Sequence, residues 1–170
     1  AARHVGEHPH IEYRVIDIQD IPFPSGSFDV VIANMMLYHV PDIRKALREV
    51  RRVLKQGGFF CCATYGEHGI VEYISGLLSA CGVTDTTNKN FTLQNGYPIL
   101  RQVFSEVQKY TYPDALAVTD INDMIAYIRS MSAMTGLHTL PDSVLREVLT
   151  AHMADGVLHV PKEYGMFAAS

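Results

Sequence analysis

The unbroken apolar run Val30-Val31-Ile32-Ala33 is entered through Ser27-Phe28-Asp29 and left through Asn34-Met35-Met36-Leu37-Tyr38-His39-Val40. An apolar run without alternation predicts a strand buried on both faces, as the inner strands of a parallel sheet are. After it, Ile43, Ala46, Leu47, Val50, Val53 and Leu54 recur at the 3.6-residue period. That spacing predicts a helix over 42–55 with Arg44, Lys45, Arg48, Arg51 and Arg52 mostly on its outer, solvated side. Gly57-Gly58 is expected to stop the helix through a left-handed cap, and Phe59–Thr64 to form the next buried strand. Strand, helix and strand make a βαβ unit with a right-handed crossover. Open α/β sheets bind ligands where a loop such as 34–40 leaves the carboxyl end of its strand.

The flanks extend this pattern. Ile11 to Ile18 alternates and then turns apolar, which predicts a strand with Asp17 near its carboxyl end. Pro22 and Pro24 keep the following connector irregular. Ile70, Val71, Ile74, Leu77, Leu78 and Cys81 predict a second amphipathic helix, stopped by Gly82. The polar stretch 84–90 reads as a loop, and 97–106 as a short helix. A strand over 107–112 is expected to break at Pro113-Asp114 before resuming at 115–118. Two more helices, opened by Thr119-Asp120 and Pro141-Asp142, precede final β segments at 157–160 and 164–168. Region 120–155 is therefore an insertion between late strands, expected to cap a binding crevice, with Met131 and Met134 facing a cavity beneath it.

The 170 residues suffice for one domain with a substantial core, and 1–170 is expected to be a single unit. A net charge of −4, with basic residues interleaved among acids, gives no reason to expect nucleic acid or an anionic membrane as partner. No apolar run is long enough to span a bilayer and no signal-peptide pattern opens the chain. Cys61, Cys62 and Cys81 read as buried thiols of a reducing compartment, so a cytoplasmic location is expected. His4, Glu7, His8 and His10 could gather a metal, but Gly6 and Pro9 break any helix that would align them. No metal site is expected. Neither a Ser-His-Asp order nor a G-x-S-x-G elbow occurs, which disfavours hydrolase chemistry.

Four segments taken in order carry a resemblance: Asp17-Ile18-Gln19-Asp20-Ile21-Pro22-Phe23, Ser27-Phe28-Asp29-Val30-Val31, Leu37-Tyr38-His39-Val40, and Ala46 to Gly58. Together they resemble the middle of a class I S-adenosylmethionine-dependent methyltransferase, of the small-molecule branch that includes the ubiquinone and menaquinone methyltransferases. The motif-bearing match covers about residues 11–65. The resemblance implies a Rossmann-like α/β sheet in which this chain supplies strands three to seven, the last two antiparallel, with the helical insertion between them. It further implies that Asp17 accepts from the adenine amino group, that Ile18 and Gln19 present backbone to the ring edge, and that Ala33, Asn34 and Met35 meet the methionine portion and ribose. Leu37 would pack on the cofactor and His39 would face the substrate.

The family's glycine-rich motif and the acid that grips the ribose are not found, so the chain is expected to be an N-terminally shortened domain that binds cofactor poorly by itself. The activity implied is methyl transfer to a small-molecule acceptor, with S-adenosylhomocysteine as product. Such transfer needs alignment more than side-chain chemistry, and His39, on the loop at the crevice, is the candidate base. The contrasting reading is a non-catalytic Rossmann-like module, its open sheet edge covered by a second copy or another partner.

Overall fold

Two parallel strands and the helix between them form where the pattern places them. In the computed structural model, which describes residues 9–170, β1 (Phe28–Asn34) pairs with β2 (Leu54–Tyr65), and α1 (Ile43–Val53) is the crossover. His4, Glu7 and His8, weighed above as metal ligands, lie outside the described residues. Asp42 caps α1 by accepting a hydrogen bond from the Lys45 backbone N–H at 2.9 Å. Ala46, Leu47, Val50 and Val53 are fully buried along its inner face.

The exit from α1 differs from expectation. Leu54 is already extended and is the first residue of β2, so the glycine pair lies inside the strand, not at a helix cap. Gly57 takes φ of +77° in a bulge that shifts the register between the Phe28–Leu54 and Val30–Phe59 pairs. A Cβ on Gly58 would sit 2.8 Å from the Asp29 carbonyl oxygen, so β1 could not approach a larger residue there.

The remaining elements are α2 (Ile70–Leu77), β3 (Thr84–Asp85), α3 (Gly96–Leu100), β4 (Val107–Val118), α4 (Ile121–Ser130), β5 (Met134–Thr135), α5 (Asp142–Ala151) and β6 (Leu158–Ala169). The main sheet has the order β1-β2-β6-β4, with β6 antiparallel to both neighbours, while β3 and β5 form a small separate ribbon. Strands β4 and β6 run unbroken through Pro113 and Pro161, where interruptions were expected. β4 is an edge strand, and β6 loses its β2 neighbour beyond the Tyr65–Tyr164 pair. Each proline therefore sits where one side of its strand is unpaired, the position a sheet tolerates.

One face of the sheet is covered. Ala33, Phe60, Cys62, Phe167 and Ala169 pack against α1 and against Phe91, Leu93, Leu100 and Phe104. The Phe60 and Phe104 rings stack at 5.7 Å, and Phe91 meets Phe167 edge-on at 5.8 Å. A second core joins α2, α4 and α5 to Leu158 and Val160. The sheet's other face, covered by that second core at the far end of β4 and β6, is open over the rest among the described residues: Ile32 is 71% exposed, and Val30, Phe59, Tyr110 and Tyr112 are also open. Thus β1 is not buried on both faces. Its pleat sends Ala33 into the core and Val30 and Ile32 to a part of the other face that no described helix covers.

The predicted strand at 11–18 is likewise absent. The segment is largely exposed, Val15 completely so, and it is not hydrogen-bonded to the free edge of β1. Apolar content alone does not make a strand, which also needs a hydrogen-bonded neighbour. Only Ile18 and Ile21 reach inward, packing on the α1 core.

Candidate functional site at the carboxyl end of the first strand

Where β1 ends, Asn34 is exposed and the Met35 N–H still donates to the Ala63 carbonyl at 3.0 Å. Met35 then takes φ of +52°, which side-chain-bearing residues seldom adopt and which costs on the order of 1 kcal/mol or more. The chain continues into a short 3₁₀ turn, Leu37–His39. Leu37 and Val40 anchor that turn in the core, leaving Tyr38 half-buried and His39 exposed above it. Complete burial of Leu37 leaves no surface for a ligand; it supports the loop from beneath.

Asp17 and Gln19 stand beside this loop. The Asp17 carboxylate accepts from the Gln19 backbone N–H at 2.8 Å and from its side-chain amide at 3.2 Å, and these bonds hold its pKa below the ordinary value. Gln19 in turn accepts from the Asp42 N–H at 3.0 Å, which ties the 17–19 turn to the start of α1. Ile18 packs on the same core as Met36 and Leu37.

Arg52 fixes the connector, a role the solvated-face reading of α1 missed. Its guanidinium donates to the Phe23 and Ile21 carbonyls at 2.7 and 2.8 Å and to Glu49 at 2.7 and 2.8 Å, while Glu49 accepts from the Ile21 N–H at 3.0 Å. The planar fork reaches carbonyls and carboxylate at once, as a lysine could not. The Gln19–Asp42 bond thus holds 17–19 at the start of α1, and Arg52 near its other end holds the rest of the connector along the helix.

A cavity of about 410 Å³ opens on the far side of this loop. Tyr38 and His39 line it from this loop, with Tyr65, Gly66, Tyr127, Met131, Glu163 and Tyr164. Asp17, Ile18, Gln19, Ala33, Asn34, Met35 and Leu37 do not line it, so of the cofactor-side and substrate-side residues singled out from the sequence His39 alone faces the cavity. Met131 lines it as expected, whereas Met134 is buried in the α4–α5 core.

The wall residues that sequence reasoning missed come from distant parts of the chain. Tyr65 and Tyr164 are cross-strand partners in β2 and β6, and the Tyr38 and Tyr65 rings lie 4.6 Å apart. Tyr65 donates its hydroxyl proton to the Asn88 carbonyl, and its pKa is pushed up to about 12 by burial and by the neighbouring Tyr38 and Asp85. Asp85 shows the opposite balance: burial opposes its ionisation, but bonds from Thr87 and Lys89 outweigh it and lower its pKa. Among the described residues, no group of three or more His, Cys, Asp or Glu is placed to hold a metal ion.

Comparison with known proteins fits this geometry. Residues 1–62 match the methyltransferase domain family. A ubiquinone/menaquinone biosynthesis C-methyltransferase of Caulobacter vibrioides is 42% identical over 60 residues, 35% of this chain and 24% of the relative. A malonyl-[acyl-carrier protein] O-methyltransferase of Nitrosospira multiformis is 25% identical over 158 residues, 88% of this chain and 43% of the relative. A solved structure of a proposed type II methyltransferase from Anaeromyxobacter dehalogenans superposes with a TM-score of 0.65 at 23% identity, covering 98% of this chain and 74% of that one. Residues 1–62 are thus similar to the methyltransferase domain family, and the described fold is similar to that of solved methyltransferase structures.

The matches span less than half the length of either curated methyltransferase relative. The same fold also carries other chemistry. The [4+2]-cyclase SpnF superposes with a TM-score of 0.51 at 14% identity, covering 99% of this chain and 60% of that one. Membership of the fold therefore leaves the reaction to be argued from the site. No helix among the described residues is long and apolar enough to cross a membrane.

Proposed function

We propose that this chain contributes one wall of an S-adenosylmethionine site and the adjoining acceptor pocket of a small-molecule methyltransferase. The observation that carries this reading is the loop Ala33–His39. It leaves the carboxyl end of β1 through a strained Met35, with the Asp17–Gln19 turn on one side and the cavity on the other.

The residues present fit one side of the cofactor. Asp17 keeps carboxylate acceptor capacity beyond its bonds to Gln19 and would take the adenine amino group. Ile18 and Gln19 would border the ring, and Ala33, Asn34 and Met35 would meet the ribose and methionine portion. When bound, S-adenosylmethionine supplies an already activated sulfonium methyl group. The chain's own contribution is alignment and exclusion of water, with Tyr38 and His39 forming the partition between the cofactor side and the cavity. His39 is the substrate-side group able to hold a proton released by the acceptor.

The test is a titration of S-adenosylhomocysteine into the wild-type chain and into Asp17→Asn and Asn34→Ala variants. Weak binding that becomes weaker still in both variants is expected. Binding indifferent to both substitutions would remove the proposed wall.

A further inference from the structure

The acceptor pocket has a distinct chemical character. Four carboxylates line it, Glu67, Glu72, Asp85 and Glu163, against a single lysine, Lys89, with His39 on the rim. Lys89 is itself engaged by Asp85 at 3.2 Å, and Glu72 faces the His68 ring at 3.2 Å. Lys162 is outside the lining; its ammonium lies over the Tyr164 ring, 5.8 Å from the ring centre, and is paired with Asp114.

Glu67 and Glu163 differ from the other two acids. Both are half-buried, and both are satisfied by neutral donors: Glu67 accepts from the Thr92 hydroxyl at 2.8 Å, Glu163 from the His68 N–H and the Gln94 amide, each at 2.8 Å. Neither makes an ion pair among the described residues. The chain also makes room for Glu163. A Cβ on Gly66 would lie 1.9 Å from its carboxylate oxygen, so the missing side chain at 66 is the space the carboxylate occupies. Around it stand Tyr38, Tyr65, Tyr127 and Tyr164.

Half-buried carboxylates without counter-ions favour a positively charged guest, and tyrosine faces attract the same guest through their quadrupoles. A carboxylate-bearing or phosphorylated acceptor would meet like charge here instead. We propose that the pocket takes a cationic, amine-bearing acceptor, its nitrogen held between the tyrosine faces and the Glu163 carboxylate. This deepens the methyltransferase reading and rests on it. In the transfer, an acceptor bound as an ammonium would first give a proton to His39 or water, and the freed nitrogen lone pair would form the N–C bond to the sulfonium methyl as the C–S bond breaks with its electron pair left on sulfur. The charge then on nitrogen is retained in a quaternary product, or lost with a proton to His39 or water.

The experiment compares choline with its neutral carbon isostere 3,3-dimethyl-1-butanol as probes, titrated into the whole chain and followed by tyrosine fluorescence. Choline is expected to bind at least about tenfold more tightly, and Glu163→Gln to abolish most of that preference. Equal affinity for the two probes overturns the proposal, as does a choline preference that survives Glu163→Gln unchanged. If the variant does not fold, the wild-type comparison still decides between a cation site and a merely apolar one. Titration of S-adenosylhomocysteine alongside separates the two readings. Cofactor binding without choline preference sinks this inference alone, and choline preference without cofactor binding sinks the transferase reading on which it rests.

Discussion

Substituting Gly66 by alanine tests whether the Glu163 carboxylate is held where the cavity needs it. The backbone at 66 is not in the left-handed region, so alanine is conformationally admissible there. Its methyl group would fall 1.9 Å from Glu163 Oε2 and 2.0 Å from Cδ, distances no contact tolerates. The colliding atoms are the far end of a flexible side chain, so Glu163 swings out and the backbone stays. The Gly66 N–H bond to the Glu163 carbonyl at 2.7 Å survives, while the bonds to the His68 N–H and the Gln94 amide are lost.

Hydrogen bonds to a charged acceptor contribute about 1.5–3 kcal/mol each when buried, but His68 and Gln94 are exposed and recover most of that from water. A net loss of about 1–2 kcal/mol follows, which for a chain of this size is a fall in Tm of roughly 2–8 °C. Calorimetric unfolding reads the stability, and the choline titration reads the displaced carboxylate as a loss of cation preference. An unchanged Tm with choline preference intact would show that Glu163 is not packed into the space at Gly66. Loss of the folded state would show that the loop backbone, and not the side chain, had been forced to move.

Gly76 provides the contrast: it lies in α2 with nothing within 4 Å of a built Cβ, so Gly76→Ala should raise stability by about 0.5–1 kcal/mol in denaturant unfolding. Burial pushes the Cys62 thiol up to about 12, so Cys62 should resist alkylation at pH 8 in the folded chain and react once urea unfolds it. Mass mapping of the labelled peptides checks this. Glu49, held near 2 by its bonds from Arg52 and Ile21, contributes stability that is complete above the ordinary carboxyl value of 4.5 and is lost as pH falls toward 2. Glu49→Gln should flatten the acid limb of the unfolding profile over that interval.

Local signals made the βαβ unit legible: one apolar run, one 3.6-residue period and one glycine pair located β1, α1 and β2 to within a few residues. Pairing and coverage depend on distant segments and were not legible. The apolar content of 11–18 is real, but a strand also needs a neighbour, and β1 does not offer its edge to that segment. Val30 and Ile32 look like core in sequence, yet a strand's pattern cannot state which of its faces a helix will cover. Arg52 looked like one more solvated cation because its two carbonyl partners lie 29 and 31 residues upstream.

The candidate site divides in the same way. Asp17, Asn34 and His39 were singled out through motif order along the chain. Glu163 of the cavity lining meets His68 across 95 residues, and no local pattern announces that meeting. Gly66 was the available signal, since a glycine directly after a strand marks a place where something else comes close.

The central claim is that the loop Ala33–His39 separates a cofactor surface from a cation pocket. Residue-resolved amide NMR under two titrations tests it most directly. S-adenosylhomocysteine should shift residues 17–19 and 33–36, choline should shift residues around Tyr65, Gly66 and Glu163, and the two sets should meet at Tyr38 and His39. If both ligands perturb the same residues, or if S-adenosylhomocysteine at saturation leaves 17–19 and 33–36 unmoved, the account is wrong.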